Sequence, residues 1–254
     1  MKKTITAVAA AGVVLAGALP AQAAPKDPVG VLKSLVKPGA GVRFTETATV
    51  TDDGSQVDLV SRKGAFALGR KSVAASDLTT KPISPTLRLK DDRKPERVIS
   101  IGKDIYVGGG LWAGELPKGK SWVKTRATFL KGGVYGRYGQ PINPAEPATL
   151  AALLKRAEQA GGAYTGTVTL RELAKISPWF SGTSQIGRDE TQLTYRITVT
   201  SAGVVSKVSS TMPADRVTGQ PGFDDETVTV VSAFTGWGKK VSIKAPDPST
   251  VTTK

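Results

Sequence analysis

Residues 190–200 carry the pattern that most constrains this chain. Leu193, Tyr195, Ile197 and Val199 fall on one side of an extended backbone, and Gln192, Thr194, Arg196, Thr198 and Thr200 on the other. Successive strand side chains point to opposite faces, so this alternation predicts a half-buried antiparallel strand. Ser201-Ala202-Gly203 predicts a turn, and Val204 to Val208 a returning strand. Val42, Phe44, Ala48 and Val50 alternate in the same way, broken only by Glu46, and Thr51-Asp52-Asp53-Gly54 turns the chain towards Val57 and Leu59. Ile99 and Ile101 lead through Gly102-Lys103-Asp104 to Ile105 and Val107. Near the end, Val228, Val230 and Phe234 predict a strand, Gly236-Trp237-Gly238 a turn, and Val241 and Ile243 a last strand. The count is about ten strands in successive hairpins, which favours one antiparallel meander.

Helices are few. Pro147 opens a predicted helix over 147–160, with Leu150, Leu153, Leu154 and Ala157 at i, i+3, i+4 and i+7 and Gly161-Gly162 beyond it. A proline fits the first turn, where its missing N–H is no loss, and glycine ends a helix readily. Thr169-Leu170-Arg171-Glu172 fits a capping box. A third helix starts at Asp27-Pro28 and carries Leu32, Leu35 and Val36. About three helices against a large antiparallel sheet make an α+β domain, with the helices expected over the concave face. The run 90–97, nearly all charged, reads as a solvated loop.

The chain of 254 residues has no His and no Cys. These zeros exclude an imidazole base, a Ser-His-Asp triad, thiolate chemistry, disulfides and sulfur- or histidine-ligated metals. Lys2 and Lys3, an apolar stretch and Ala21-Gln22-Ala23 resemble a secretory signal with cleavage after Ala23. Residues 24–254 are then expected as a single exported, soluble domain in the cell envelope or outside it. A lipid anchor at the cleavage site would need a cysteine.

Thr227–Pro246 (TVTVVSAFTGWGKKVSIKAP), Tyr164–Trp179 (YTGTVTLRELAKISPW) and the Ile105-Tyr106-Val107 hairpin before Ser121-Trp122-Val123-Lys124 resemble actinobacterial envelope proteins of the LolA/LprG/LppX lipoprotein-carrier fold. The resemblance implies a strongly curved half-barrel sheet with helices plugging its mouth. It also implies a hydrophobic cavity between sheet and helices for a lipid or other acylated ligand. Burying a methylene is worth about 0.8 kcal/mol, so carrying an acyl chain through water requires such a sleeve. Candidate lining residues are Val42, Phe44, Leu150, Leu153, Leu154, Leu193, Tyr195 and Ile197. Trp112, Trp122 and Tyr106 are placed near the mouth.

Other motifs carry less. Ser121 to Lys124 matches S-x-x-K but lacks S-D-N and K-T-G, and its Trp-Val points to a strand. Gly108-Gly109-Gly110 precedes no helix signal of a dinucleotide fold. The acid clusters Asp52-Asp53, Asp91-Asp92 and Asp224-Asp225-Glu226 show no alternating ligand spacing. No catalytic residue, metal site or cofactor is therefore expected. Lys118, Lys120, Lys124, Arg126, Lys131 and Arg137 form an acid-free stretch interleaved with Trp122, Phe129, Tyr135 and Tyr138. In an exported protein this predicts contact with anionic envelope polymers or a membrane surface rather than nucleic acid. Two functions stay open: a monomeric, non-enzymatic carrier of an amphipathic ligand, and a packed-core envelope module that uses a basic face.

Overall fold

The computed structural model describes residues 26–84, 95–219 and 225–253. The signal segment, Asp91-Asp92 and Asp224 lie outside the described residues. Among those described, the chain forms α1 (Pro28–Leu35), β1 (Ala40–Asp52), β2 (Ser55–Leu68), β3 (Val73–Pro82), β4 (Glu96–Ile101), β5 (Asp104–Gly108) and β6 (Trp122–Thr125). A covering segment with single 3-10 turns at Thr128–Gly132 and Gly136–Tyr138 follows. Then come α2 (Pro147–Arg156), β7 (Glu158–Ala160), β8 (Ala163–Thr169), α3 (Leu170–Ile176), α4 (Pro178–Thr183), β9 (Gln192–Val199), β10 (Val205–Pro213), α5 (Ala214–Thr218), β11 (Thr227–Lys240) and β12 (Val251–Thr253).

All twelve strands share one open sheet in the order β12-β6-β5-β4-β3-β2-β1-β11-β10-β9-β8-β7. The expected α+β architecture is present, as two meanders joined where β1 pairs with β11. Every pairing is antiparallel except β12 with β6. The sheet stays open rather than closing into a barrel. The helices and the covering segment lie on one face. There the even positions of β1, β2 and β11 meet Tyr135, Tyr138, Ile142, Leu150, Leu153, Leu170, Leu173, Trp179 and Phe180 in one core.

The three expected helices form, each with its signal in place. The Asp27 carboxylate accepts from the amides of Val29 and Gly30. Thr169 and Glu172 make the reciprocal capping box of α3. The helix expected over 147–160 stops at Arg156, because Glu158–Ala160 pairs with β8 instead. Helices α4 and α5, six and five residues long, are too short to show a helical period.

Two expectations fail for a physical reason. Gly236-Trp237-Gly238 is no turn: β11 runs straight through it. Both glycines have positive φ, and between the pairs Gly41–Lys239 and Arg43–Thr235 the β11 side holds two extra residues. The glycines absorb a bulge, and the final strand lies at Val251–Thr253 rather than at 241–243. Of the charged run 90–97, residues 90–94 lie outside the described residues, while at its end Glu96 and Arg97 belong to β4 and Glu96 is buried rather than solvated.

Candidate ligand-binding cleft

The covered face carries a polar row that the alternation hides. Ser232, Glu46, Arg62, Thr80 and Glu96 sit at directly paired positions on β11, β1, β2, β3 and β4, and all five are buried. Arg62 Nη1 donates to Glu46 Oε1 at 2.9 Å and its Nε donates to Thr80 Oγ1 at 3.2 Å. The Ser232 hydroxyl donates to Glu46 Oε2 at 2.8 Å. From the covering segment, the Gln140 amide donates to Ser232 Oγ and to the carbonyls of Val208 and Val230, and Ser210 bonds Gln140 Oε1. Glu96 accepts from the Val134 amide through both oxygens. A buried charge must be paired and hydrogen-bonded to be tolerated; strand register sets the partners of Glu46 and Arg62, and the Val134 amide of the cover meets Glu96. The network ties the cover to the sheet.

On one side of this row stands an aromatic cluster. Phe44 stacks on Phe66 with ring centroids 5.0 Å apart, Trp179 meets Phe66 edge-on at 5.0 Å, and Phe234 lies 6.0 Å from Phe44. The Trp179 indole N–H donates to the Gln140 carbonyl at 3.0 Å.

Outward from Trp179, a cleft of about 440 Å³ opens between the ends of β3 and β4 and the cover. Ser76 and Ser100, directly paired on β3 and β4, face it from the sheet, and Lys131, Asn143, Glu146 and Pro178 from the cover. Ser76 Oγ, Ser100 Oγ and Asn143 Nδ2 are buried and have no hydrogen-bond partner among the described residues. The residues carrying them are only 1, 2 and 2% exposed. Unpaired buried polar atoms are rare and costly, so three that border one cleft mark a place built to receive polar groups. The Asn143 carbonyl oxygen is already used by the Ala145 amide, leaving its NH₂ for an occupant.

Glu146 borders the same cleft. Its Oε2 accepts from the hydroxyls of Thr149 and Ser177, and its Oε1 from the Trp179 amide. Burial pushes the carboxyl above the usual glutamate range, opposed by those bonds and by the charge of Lys131. The Ser177 hydroxyl also accepts from the Phe180 amide, so one buried acid and one serine fix the start of α4 and the position of Trp179.

None of the eight candidate lining residues borders this cleft. Val42, Phe44, Leu150, Leu153, Leu193, Tyr195 and Ile197 are buried in the core, and Leu154 packs partly buried against it. They divide into groups. Phe44 borders the aromatic end; Leu150 borders a small apolar crevice with Leu32, Leu35 and Trp237; the Tyr195 hydroxyl donates to the Leu153 carbonyl at 2.8 Å. Trp122 and Tyr106 lie on the opposite face of the sheet, under Arg97 and Lys124 respectively, away from the mouth where they were expected. Trp112 packs against the core.

The six expected surface cations are not brought together as a free patch. Lys124 and Arg126 share Asp104, whose carboxyl the Lys124 hydrogen bond holds below its ordinary range. Lys120 donates to the Ser249 carbonyl and Arg137 to the Thr218 carbonyl. Lys131 borders the cleft, and Lys118 is exposed on a loop. The cleft residues themselves carry no motif. The only sequence signal of the buried network is the polar break at Glu46.

The site thus lies at the edge of the cover, on the covered face of one open sheet. Structure comparison returns the group to which the sequence resemblance points. The chain is similar to the lipoprotein LppX of Mycobacterium tuberculosis, with 13% identity, 85% of this chain and 96% of that one covered, and a TM-score of 0.40. It is similar to a LolA superfamily protein of Nitrosomonas europaea, with 8% identity, coverage of 87% and 92%, and a TM-score of 0.31. A DUF1329 family protein of Desulfovibrio piger follows, with 11% identity, coverage of 82% and 92%, and a TM-score of 0.29. No family model matches the sequence, and no curated protein does. At these identities the likeness is one of fold.

Proposed function

We propose that the protein is an exported, non-enzymatic binder of an amphipathic ligand, held between the sheet and its cover. The observation that carries this is the set of unpaired polar atoms of Ser76, Ser100 and Asn143 around a 440 Å³ cleft backed by Trp179. That volume falls in the ordinary range of small-molecule sites, and such sites combine an apolar wall with a few convergent polar groups. The polar head fits the outer cleft, where Lys131 and the Asn143 NH₂ supply donors and the serines either donate or accept. The apolar part faces Trp179 and the aromatic cluster behind it. The polar row from Ser232 to Glu96 limits how far an apolar chain can run across the sheet, so this reading favours a ligand of modest apolar length over a deep acyl sleeve.

The test is native mass spectrometry of residues 24–254 purified under mild conditions, with analysis of the organic extract. A discrete added mass, matched to an amphiphile in the extract and absent from a cleft-filling Ser100→Phe variant, supports the proposal. A chain that carries no added mass and takes up no offered short-chain lysophospholipid refutes it.

A further inference from the structure

The opposite face of the same sheet carries a second pattern, independent of the cleft. Its pairing brings into one row Thr198, Lys207, Ala233, Thr45, Lys63, Thr79 and Arg97, one residue from each of seven adjacent strands, β9 to β4. The neighbouring row is Arg196, Ser209, Val231, Thr47, Ser61 and Lys81. Arg43 lies one row to the other side, so Arg43, Lys63 and Lys81 form a diagonal across β1, β2 and β3. The central part is a groove of about 670 Å³, continuous through Thr45, Lys63, Thr79 and Ala233 with a second of about 510 Å³. The acids on these strands that share this face are already engaged. Asp77 holds Arg97 through two bonds of 2.9 and 2.7 Å, and Asp58 accepts from Thr49. Arg43, Lys63, Lys81 and Lys207 are exposed.

We propose that this groove binds an extended, hydroxyl-bearing polyanion, of the polyol-phosphate or acidic-polysaccharide kind. Neighbouring strands are about 4.8 Å apart, so Lys63 lies about 14 Å from Lys207, and the row, which ends at the Asp77-paired Arg97, spans roughly 30 Å. That is a track for several repeats of a linear chain, with cations to meet its charges and threonine and serine hydroxyls between them to meet its hydroxyls. A flat bilayer does not follow a groove, and the large apolar side chains exposed elsewhere, Val57 and Phe129, are not in these rows. The rows themselves carry no aromatic side chain, and Trp122 beside their β4 end has the Arg97 guanidinium over its ring, 5.8 Å from the centroid, which sets the described strands apart from the open stacking platforms of single-strand nucleic-acid binders.

The experiment measures binding of residues 24–254 to a poly(glycerol phosphate), to anionic phosphatidylglycerol vesicles and to a single-stranded oligonucleotide, from 50 to 300 mM salt. The polymer is expected to bind most tightly. Lys63→Gln/Lys81→Gln/Lys207→Gln should weaken it at least tenfold and lower the slope of log K against log salt by about 3. The control triple Lys37→Gln/Lys118→Gln/Lys175→Gln, of equal charge change on other exposed sites, should shift the slope by less than one. Thermal melts verify that both triples fold. Equal losses in the two triples reduce the effect to net charge and overturn the proposal. So does absence of polymer binding at 50 mM salt, or vesicles or oligonucleotide bound as tightly as the polymer.

Discussion

Substitution of one partner in the buried ion pair should be among the most damaging changes in this chain. Arg62 and Glu46 have side chains about 3% exposed and meet at 2.9 Å. In Glu46→Leu the guanidinium keeps Thr80 alone as a side-chain partner among the described residues, and Ser232 loses its acceptor while still receiving the Gln140 amide. Leaving one buried charge unpaired costs about 3–5 kcal/mol, whereas replacing both partners by apolar groups of similar volume is often close to neutral. For a domain of this size, 1 kcal/mol moves the melting temperature by about 2–4 °C, so each single variant should melt roughly 6–20 °C lower. Glu46→Leu/Arg62→Met should recover most of that loss. Urea unfolding of wild type, both singles and the double closes a double-mutant cycle, with a coupling energy of several kcal/mol expected. Singles that cost less than about 1 kcal/mol, or a double whose cost equals their sum, would refute the reasoning that register alone pays for these charges.

Other outcomes follow from single sites. Glu146 has a folded-state pKa raised by burial, so its contribution is full below the usual glutamate range and is lost as pH rises through the raised value. Glu146→Gln should therefore flatten the fall of stability as pH rises above the usual glutamate range, read from urea midpoints; identical slopes in both proteins contradict it. A Cβ at Gly139 would fall on the Arg62 guanidinium, so Gly139→Ala should destabilise by about 1–3 kcal/mol, and a neutral effect would mean the cover does not sit on the polar row. Thr169→Ala removes the hydroxyl that accepts from the Glu172 amide at 3.1 Å and should cost about 1 kcal/mol in the same assay.

How much was legible follows from the range of each signal. Alternation from Gln192 to Val199 and around Phe44 is local, so the strands and their inward faces could be read directly. The caps of α1 and α3 are equally local. The bulge at Gly236 and Gly238 was misread as a turn because glycine serves both, and only pairing with β1 separates them. Glu46 stood out as a break, but its partners Arg62 and Ser232, and Thr80 and Glu96 further along the same row, are lined up by the register of four other strands. The cleft was invisible for the same reason: Ser76, Ser100 and Asn143 meet only when β3, β4 and the cover come together. The dense run of cations from Lys118 to Arg137 stood out along the chain, yet Lys124 and Arg126 are engaged by Asp104 and Lys120 and Arg137 by backbone carbonyls, while Arg43, Lys63, Lys81, Arg196 and Lys207, spread over five strands, share one face.

The most direct test of the central claim is photo-crosslinking with a diazirine-bearing lysophospholipid, followed by peptide mapping. The account predicts labelling of the peptides that carry Asn143 to Glu146 and Pro178-Trp179, competed away by the amphiphile from the organic extract. Labelling confined to the outer strands around Lys63 and Lys81, or none above background, would contradict a ligand held between sheet and cover.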